Sequence, residues 1–266
     1  MDRKLGIIAE CVANAEPKDL LALIKDEGFS TVFTGKIETP EVEEVKSLSD
    51  KLGLEVEFIH APFKGINDMW INGLDYLGVY NGVIKSIDSA ASCGIPMIIL
   101  HVSSGWRPPE ICDLGLSRYD SIVEYAIKKG VKIAFENLRK VGNFAYLMDR
   151  YDRIPEVGFC YDVGHEHCYT ATVDLMDICG DKTVCTHVHD NFGRDRRDFS
   201  CDPDIHLLPF DGNIDYQKVI NKLDEYEYKG SIMLEVFNHR QYSEWSKEKF
   251  VHEAFLRAKK INDMSK

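Results

Sequence analysis

Ionisable side chains recur at the ends of apolar segments along much of this 266-residue chain. Six consecutive segments run through several apolar residues and then reach an imidazole or a carboxylate: His60, His101, Glu136, Asp162, His187 and Glu235. A single group of this kind is usually an ordinary hydrogen-bonded residue. Six that meet in one place would carry a large desolvation cost, which a cation offsets. The pattern therefore predicts a divalent-metal site with nitrogen and oxygen ligands.

The apolar segments themselves have the length and composition of β-strands. Eight occur, at Leu5–Cys11, Thr31–Thr34, Leu54–His60, Met97–Val102, Val131–Glu136, Val157–Asp162, Val184–His189 and Ile232–Phe237. Stretches of helical periodicity lie between them, at Pro17–Glu27, Pro40–Leu52, Leu74–Ser92, Arg118–Lys129, Gly142–Arg150, Tyr216–Glu227 and Ser243–Ile261, and Trp106–Gly115 reads as a loop. Such alternation is typical of a parallel sheet covered by helices. Eight repeats predict an α/β protein with one domain over residues 1–266, a (β/α)8 TIM barrel.

Barrel geometry would bring the six side chains together at one mouth, the place where the active sites of TIM barrels lie. Four further residues follow the strand ends closely and are candidate companions: His165, His189, Asp204 and His206. His189 and His167 alternate with His187 and His165, and for this reason we expect both to point away from the cluster.

Composition narrows the partners and the location of the protein. The formal net charge of −12 opposes binding to phosphate backbones, so no nucleic-acid partner is expected. The chain has neither a long uncharged apolar stretch nor a signal-like N-terminus, so we expect no membrane association and a cytoplasmic location. Eight cysteines without a CxxC pair argue against a disulfide framework. Glycine-rich nucleotide signatures are missing from the sequence.

Five motifs together, spread over nearly the whole chain, resemble a known group of barrels. They are Glu136–Asn137, Asp162-Val-Gly-His165, His187-Val-His-Asp-Asn191, Asp204-Ile-His206 with Gly212-Asn-Ile-Asp215, and Leu234–Glu235. This set resembles the xylose-isomerase-like superfamily, which includes sugar and sugar-phosphate isomerases and epimerases as well as endonuclease-IV-type apurinic endonucleases. The resemblance to the epimerases implies one divalent ion (Mn, Zn, Mg or Co) held by Glu136, Asp162, His187 and Glu235.

The resemblance implies an isomerase of the ketose epimerase or aldose–ketose isomerase type. The metal would polarise a sugar carbonyl and stabilise the enediolate that forms when the neighbouring carbon loses its proton. Glu136 and Glu235 are the expected acid and base, in an order that the sequence leaves open. The substrate, a small sugar or sugar phosphate, is expected to contact His60, His101, His165, Arg194 and Trp106. Many relatives are homo-oligomers, and the oligomeric state is left open.

Two other functions compete with this one. An endonuclease-IV-like phosphodiesterase would use His60, His101, His165, Asp204 and His206 as additional ligands for two or three zinc ions. The acidic surface argues against that activity. A non-catalytic sugar-binding barrel, in which the metal only joins the strands, is the third hypothesis. Whether the substrate carries a phosphate is also open, and Arg194–Arg197 is the local candidate for binding one.

Overall fold

A computed structural model describes residues 2–170, 172–195 and 201–265 of the chain. Its strands form one parallel sheet of eight, in the order β7-β6-β5-β4-β3-β2-β1-β8. Their bounds are β1 Leu5–Ile8, β2 Thr31–Thr34, β3 Glu55–His60, β4 Met97–His101, β5 Lys132–Glu136, β6 Val157–Asp162, β7 Thr183–His187 and β8 Ile232–Leu234. This sheet confirms the predicted (β/α)8 TIM barrel.

Helices cover the outer face of the sheet. In the described residues they are α1 Pro17–Glu27, α2 Thr39–Leu52, α3 Leu77–Cys93, α4 Asp113–Lys129, α5 Val141–Arg150, α6 Val163–Tyr169, α7 Met176–Cys179, α8 Tyr216–Glu225 and α9 Lys247–Asn262. Helix α8 illustrates why these segments are helical, because its buried residues Tyr216, Val219, Ile220 and Leu223 follow the spacing of one helix face. None of the helices described here is both long and apolar enough to cross a membrane.

The barrel closes between β7 and β8 through few main-chain hydrogen bonds. The amide of Val188 donates to Met233 O at 2.8 Å, and the amide of Glu235 donates to Val188 O at 3.1 Å. Closer to the N-terminal ends of β7 and β8, the Thr186 hydroxyl donates to Ser231 O at 2.9 Å and accepts from the Met233 amide at 3.3 Å. A side chain therefore supplies part of the bonding that a longer strand pair would provide.

Several predicted boundaries are wrong. Strands β1 and β8 end three residues before the predicted ends, because the apolar residues beyond Ile8 and Leu234 are buried without extending the strand pairing. Helices α6 and α7 were not predicted because seven and four residues are too few to show a helical period. Helix α4 begins at Asp113, five residues before the predicted start, in a stretch that includes Gly115, a poor helix former.

Gly115 has a packing reason to be where it is. A Cβ atom at this position would lie 2.0 Å from the Trp70 ring, so the indole occupies the space that any larger residue needs. Trp70 ends a 3-10 helix, Ile66–Trp70, and its Nε1 donates to Val102 O at 2.8 Å. Asn67 in the same turn exchanges two hydrogen bonds of 2.9 Å with the main chain of Ser104. These contacts join the loops after β3 and β4 into one wall of the barrel mouth.

We predict that Gly115→Ala destabilises the protein, although alanine normally stabilises a helix by up to about 1 kcal/mol relative to glycine. The overlap with Trp70 should lower the free energy of unfolding by roughly 1–3 kcal/mol, measured from urea unfolding curves. Gly142→Ala in α5 is the matched control, because no atom lies within 4 Å of its Cβ position. Equal stability of the two variants would contradict this account of the Trp70 contact.

Candidate metal centre and substrate cavity

The six predicted strand-end residues meet at the C-terminal mouth of the barrel. All are buried, and Glu136, Asp162 and His187 are fully inaccessible to solvent. Ligand atoms of four of them lie within 4.8 Å of one another, namely those of Glu136, Asp162, His187 and Glu235. The structure thus brings together the four residues that the sequence predicted as the inner ligand set.

His187 is at the centre of this set. Its Nδ1 lies 3.2 Å from Glu136 Oε1, 3.3 Å from Glu235 Oε2 and 3.8 Å from Asp162 Oδ2. Below it, the imidazole stacks on the Phe33 ring, whose centre is 5.0 Å away, and Phe33 in turn stacks on Phe58. The aromatic layer of the barrel core therefore holds the imidazole with its Nδ1 atom toward the carboxylates.

Asp162 is oriented by two neighbours. The Asn137 side chain donates to Asp162 O at 2.8 Å and accepts from the Asp162 amide at 2.7 Å, which extends the bonding between β5 and β6. The carboxylate caps helix α6, since Oδ1 accepts from the His165 amide at 2.6 Å. The other oxygen, Oδ2, is buried without a hydrogen-bond partner. A buried oxygen in this state suits a metal ligand.

Glu136 faces imidazoles on two sides. Its Oε2 lies 2.9 Å from His101 Nε2 and 3.3 Å from His60 Nε2. The Nδ1 atom of His60 donates to Ala61 O at 2.8 Å, so Nε2, which faces Glu136, is the nitrogen that could bind a metal ion. His60, His101 and Glu136 consequently form a further group with metal-ligand spacing.

A separate group of ligand atoms lies beside the central set. It consists of His165, His189, Asp204 and His206. His165 Nε2 is 3.0 Å from Asp204 Oδ2, and His206 Nε2 is 3.4 Å from the same oxygen. The His206 Nδ1 atom is 2.8 Å from Glu235 O, which orients this ring.

The expectation that His189 points away from the cluster is wrong. Isolated bridges at Val188 and Asp190 continue the pairing past the end of β7, so His189 projects on the same side as His187. Its Nε2 lies 3.2 Å from Asp162 Oδ1. The approach depends on Gly164, where a Cβ atom would lie 2.0 Å from the His189 ring. His167, by contrast, is directed outward to Asn213 Oδ1 at 2.6 Å, as predicted.

Carboxylates stabilise the charged forms of His187 and His206 in this cluster, whereas burial outweighs Glu136 at His101 and lowers the pKa of that imidazole. Burial lowers the pKa of His187, but Glu235 and Glu136 outweigh that effect and raise it to about 10. Asp204 likewise outweighs burial and raises the pKa of His206 to about 9. Although burial opposes it, the imidazoles of His101 and His187 hold the pKa of Glu136 well below its usual range. A metal ion that bound here would displace protons from imidazoles.

A cavity of about 510 Å³ opens above these groups. Predicted residues on its wall are His60, His101, Trp106, His165, Asp204, His206 and Glu235, whereas Glu136 lies below the surface of the wall. Arg139, which the sequence did not single out, also lines the cavity, and its guanidinium carbon is 3.4 Å from the centre of the Trp106 ring. Arg194 approaches the same ring to 5.0 Å. Arg196 and Arg197, part of the predicted phosphate-binding run, lie outside the described residues.

Comparison with known proteins agrees with this architecture. The 3-keto-D-glucoside 4-epimerase YcjR of E. coli superimposes with a TM-score of 0.74 at 16% identity, covering 97% of this chain and 99% of that one. The zinc-bound IOLI protein gives a TM-score of 0.75 at 17% identity, covering 98% and 97%. At these identities the likeness shows the fold alone.

Sequence comparison extends this result. An uncharacterized protein of Sinorhizobium fredii is 32% identical over 163 residues, which cover 56% of this chain and 50% of that protein. The chain thus spans about half the length of this relative. The family model described as xylose isomerase-like TIM barrel matches residues 21–258, most of the chain. The protein belongs to the xylose isomerase-like TIM barrel family.

Proposed function

We propose that this protein is a divalent-metal-dependent isomerase or epimerase of sugars or sugar phosphates. The observation that carries the proposal is the convergence of three buried carboxylates, those of Glu136, Asp162 and Glu235, on the Nδ1 atom of His187. The cavity above this group has room for a sugar and carries polar side chains on its wall. Epimerases among proteins of the same fold are consistent with this class of reaction.

The donor set fits a divalent cation. Three carboxylates facing one imidazole carry more negative charge than that imidazole can balance, and the buried Asp162 Oδ2 has no hydrogen-bond partner. Mixed carboxylate and imidazole ligands suit Zn²⁺, Mn²⁺ or Co²⁺. When bound, the ion would polarise the carbonyl group of the sugar and so acidify the neighbouring carbon.

Glu235 is the better placed of the two predicted proton-transfer residues. Its carboxylate lies on the cavity wall, whereas Glu136 is fully buried below that wall. Burial opposes ionisation of Glu235, but His187 and His206 outweigh it and lower its pKa, so the carboxylate is ready to accept a proton. We therefore assign proton abstraction from the sugar carbon to Glu235.

The type of isomerisation depends on whether a second group acts. In aldose–ketose isomerisation one acid–base residue can move the proton between adjacent carbons, and Glu235 can both remove and return it. The hydroxyl proton passes from one sugar oxygen to the other in the same conversion. Epimerisation returns the proton on the other face of the same carbon and needs a second donor. Glu136 remains the candidate for that role, and its burial favours the reaction that uses Glu235 alone.

We predict that Glu235→Gln lowers activity by about 100-fold or more, because the amide cannot accept the proton. Activity is measured as incorporation of solvent deuterium into a panel of ketoses and ketose phosphates by the metal-loaded protein. Metal affinity should also fall, since an anionic ligand is lost. Glu244→Gln, an exposed carboxylate that follows β8, is the matched control and should exchange at the wild-type rate. Normal exchange by the Glu235→Gln variant would remove this residue from the mechanism.

A second candidate function is hydrolysis of phosphodiesters by several metal ions. The specific observation in its favour is the pair of additional groups with ligand spacing, His60 with His101 and Glu136, and His165 with His189, Asp204 and His206. Several ions a few ångströms apart can stabilise both the attacking and the leaving oxygen of a phosphoryl transfer. The acidic net charge of −12 disfavours a polyanionic DNA substrate.

Metal content separates the two candidates. For the isomerase we predict one ion per chain by elemental analysis, and His60→Ala should leave that number unchanged because His60 lies outside the inner ligand set. His252→Ala is the control, since this exposed residue of α9 pairs with Glu27 of α1 and belongs to none of the ligand groups found among the described residues. Three zinc ions per chain, with loss of one in His60→Ala and cleavage of abasic DNA by the wild type, would instead establish the phosphodiesterase.

A further inference from the structure

Arg139 is a cation on the cavity wall without an acidic partner among the described residues. It follows Glu136 by three positions, in the turn before α5, and its side chain lines the cavity. Its Nη1 atom is buried and makes no hydrogen bond. The neighbouring cation, Lys140, is neutralised by an ion pair with Glu110. A buried guanidinium nitrogen with nothing to donate to is costly unless a ligand supplies the acceptor.

Trp106 fixes the position of this cation. The guanidinium lies over the indole with its carbon 3.4 Å from the ring centre, a stacking arrangement that leaves the N–H groups at the edge free to donate. Trp106 itself packs edge-to-face against Tyr169, with ring centres 5.7 Å apart. The side chain is therefore held on the wall and does not extend freely into solvent.

A second guanidinium approaches the same ring. The Arg194 carbon lies 5.0 Å from the Trp106 centre, and burial together with the charge of Arg194 lowers the pKa of Arg139. Arginine keeps its proton under such conditions, so Arg139 remains a cation on the cavity wall. A bound anion would stabilise this charge.

Acidic residues on the wall have other partners. Asp202 accepts hydrogen bonds from Tyr169 Oη at 3.3 Å and from the Asp204 amide at 3.1 Å. Asp204 is 3.0 Å from His165 and 3.4 Å from His206. Within the described residues, Arg139 thus presents positive charge beside Trp106, while Glu235 presents negative charge elsewhere on the cavity lining.

We propose that Arg139 binds the phosphate group of the substrate, and that the substrate is a sugar phosphate whose carbonyl end faces Glu235. This inference rests on the proposed isomerase or epimerase function. A phosphate is favoured over a carboxylate because its near-double negative charge gains more from the Arg139 cation than a single negative charge does.

Binding of inorganic phosphate tests the anion site without requiring catalysis. We expect equilibrium dialysis of the metal-loaded protein to show roughly tenfold or more weaker phosphate binding in Arg139→Gln, the size expected for a lost charge-assisted hydrogen bond. The phosphate affinity of Arg139→Lys should lie between those of Arg139→Gln and the wild type, because lysine keeps the positive charge but lacks the planar guanidinium. Arg153→Gln, an exposed residue on the turn before β6, is the control for the change in net charge and should bind like the wild type. Equal binding by Arg139→Gln and the wild type would overturn the proposal. Comparing variants also removes any contribution from phosphate bound directly to the metal ion.

Exchange assays identify the substrate class. Deuterium incorporation is compared for neutral ketoses, their terminal phosphates and the corresponding sugar acids. In Arg139→Gln, only the KM for the phosphates should rise strongly, and kcat should change little. A preference for sugar acids or for neutral sugars would overturn the assignment of phosphate. Phosphate binding that depends on Arg139, without exchange of any sugar, would keep the anion site and reject the isomerase. Exchange of neutral sugars without Arg139-dependent phosphate binding would support the isomerase and reject the anion site.

Discussion

Buried negative charge at the mouth of the barrel is the constraint on which the rest of the site depends. The carboxylates of Glu136, Asp162 and Glu235 converge within a few ångströms, and separation from water makes their repulsion strong. Neighbouring groups reduce this cost. His187 faces all three carboxylates, and the His165 amide at the start of α6 donates to Asp162 Oδ1. The Asp162 Oδ2 atom, which has no hydrogen-bond partner, suits a divalent cation.

Much of this arrangement could be predicted from the sequence because it follows the repeat of the barrel. A residue that comes last in an apolar strand must lie at the mouth, so the positions of His60, His101 and Glu136 follow from strand order alone. Arg139 could not be found in this way. It lies in a turn, its role comes from stacking on Trp106, and the two residues are far apart in the chain. Only the folded geometry brings them into contact.

The misplacement of His189 has a different origin. The spacing of two residues places His189 on the same face as His187, and its close approach to Asp162 requires that Gly164 has no side chain. Glycine in a short helix carries no signal of its own in a single sequence. The same limit applies to Gly115, where low helix propensity obscured the start of α4, although the residue is required by the packing of Trp70.

The small number of hydrogen bonds between β7 and β8 has a consequence for the metal centre. His187 is the last residue of β7 and Glu235 directly follows β8. The two main-chain hydrogen bonds that connect these strands both involve Val188, between His187 and His189. A cation bound by both His187 and Glu235 would connect β7 and β8 where neighbouring strands of the barrel share the fewest main-chain hydrogen bonds. Separation of these two strands would then also distort the ligand set, so the ion would stabilise the closed barrel as well as take part in the chemistry at its mouth.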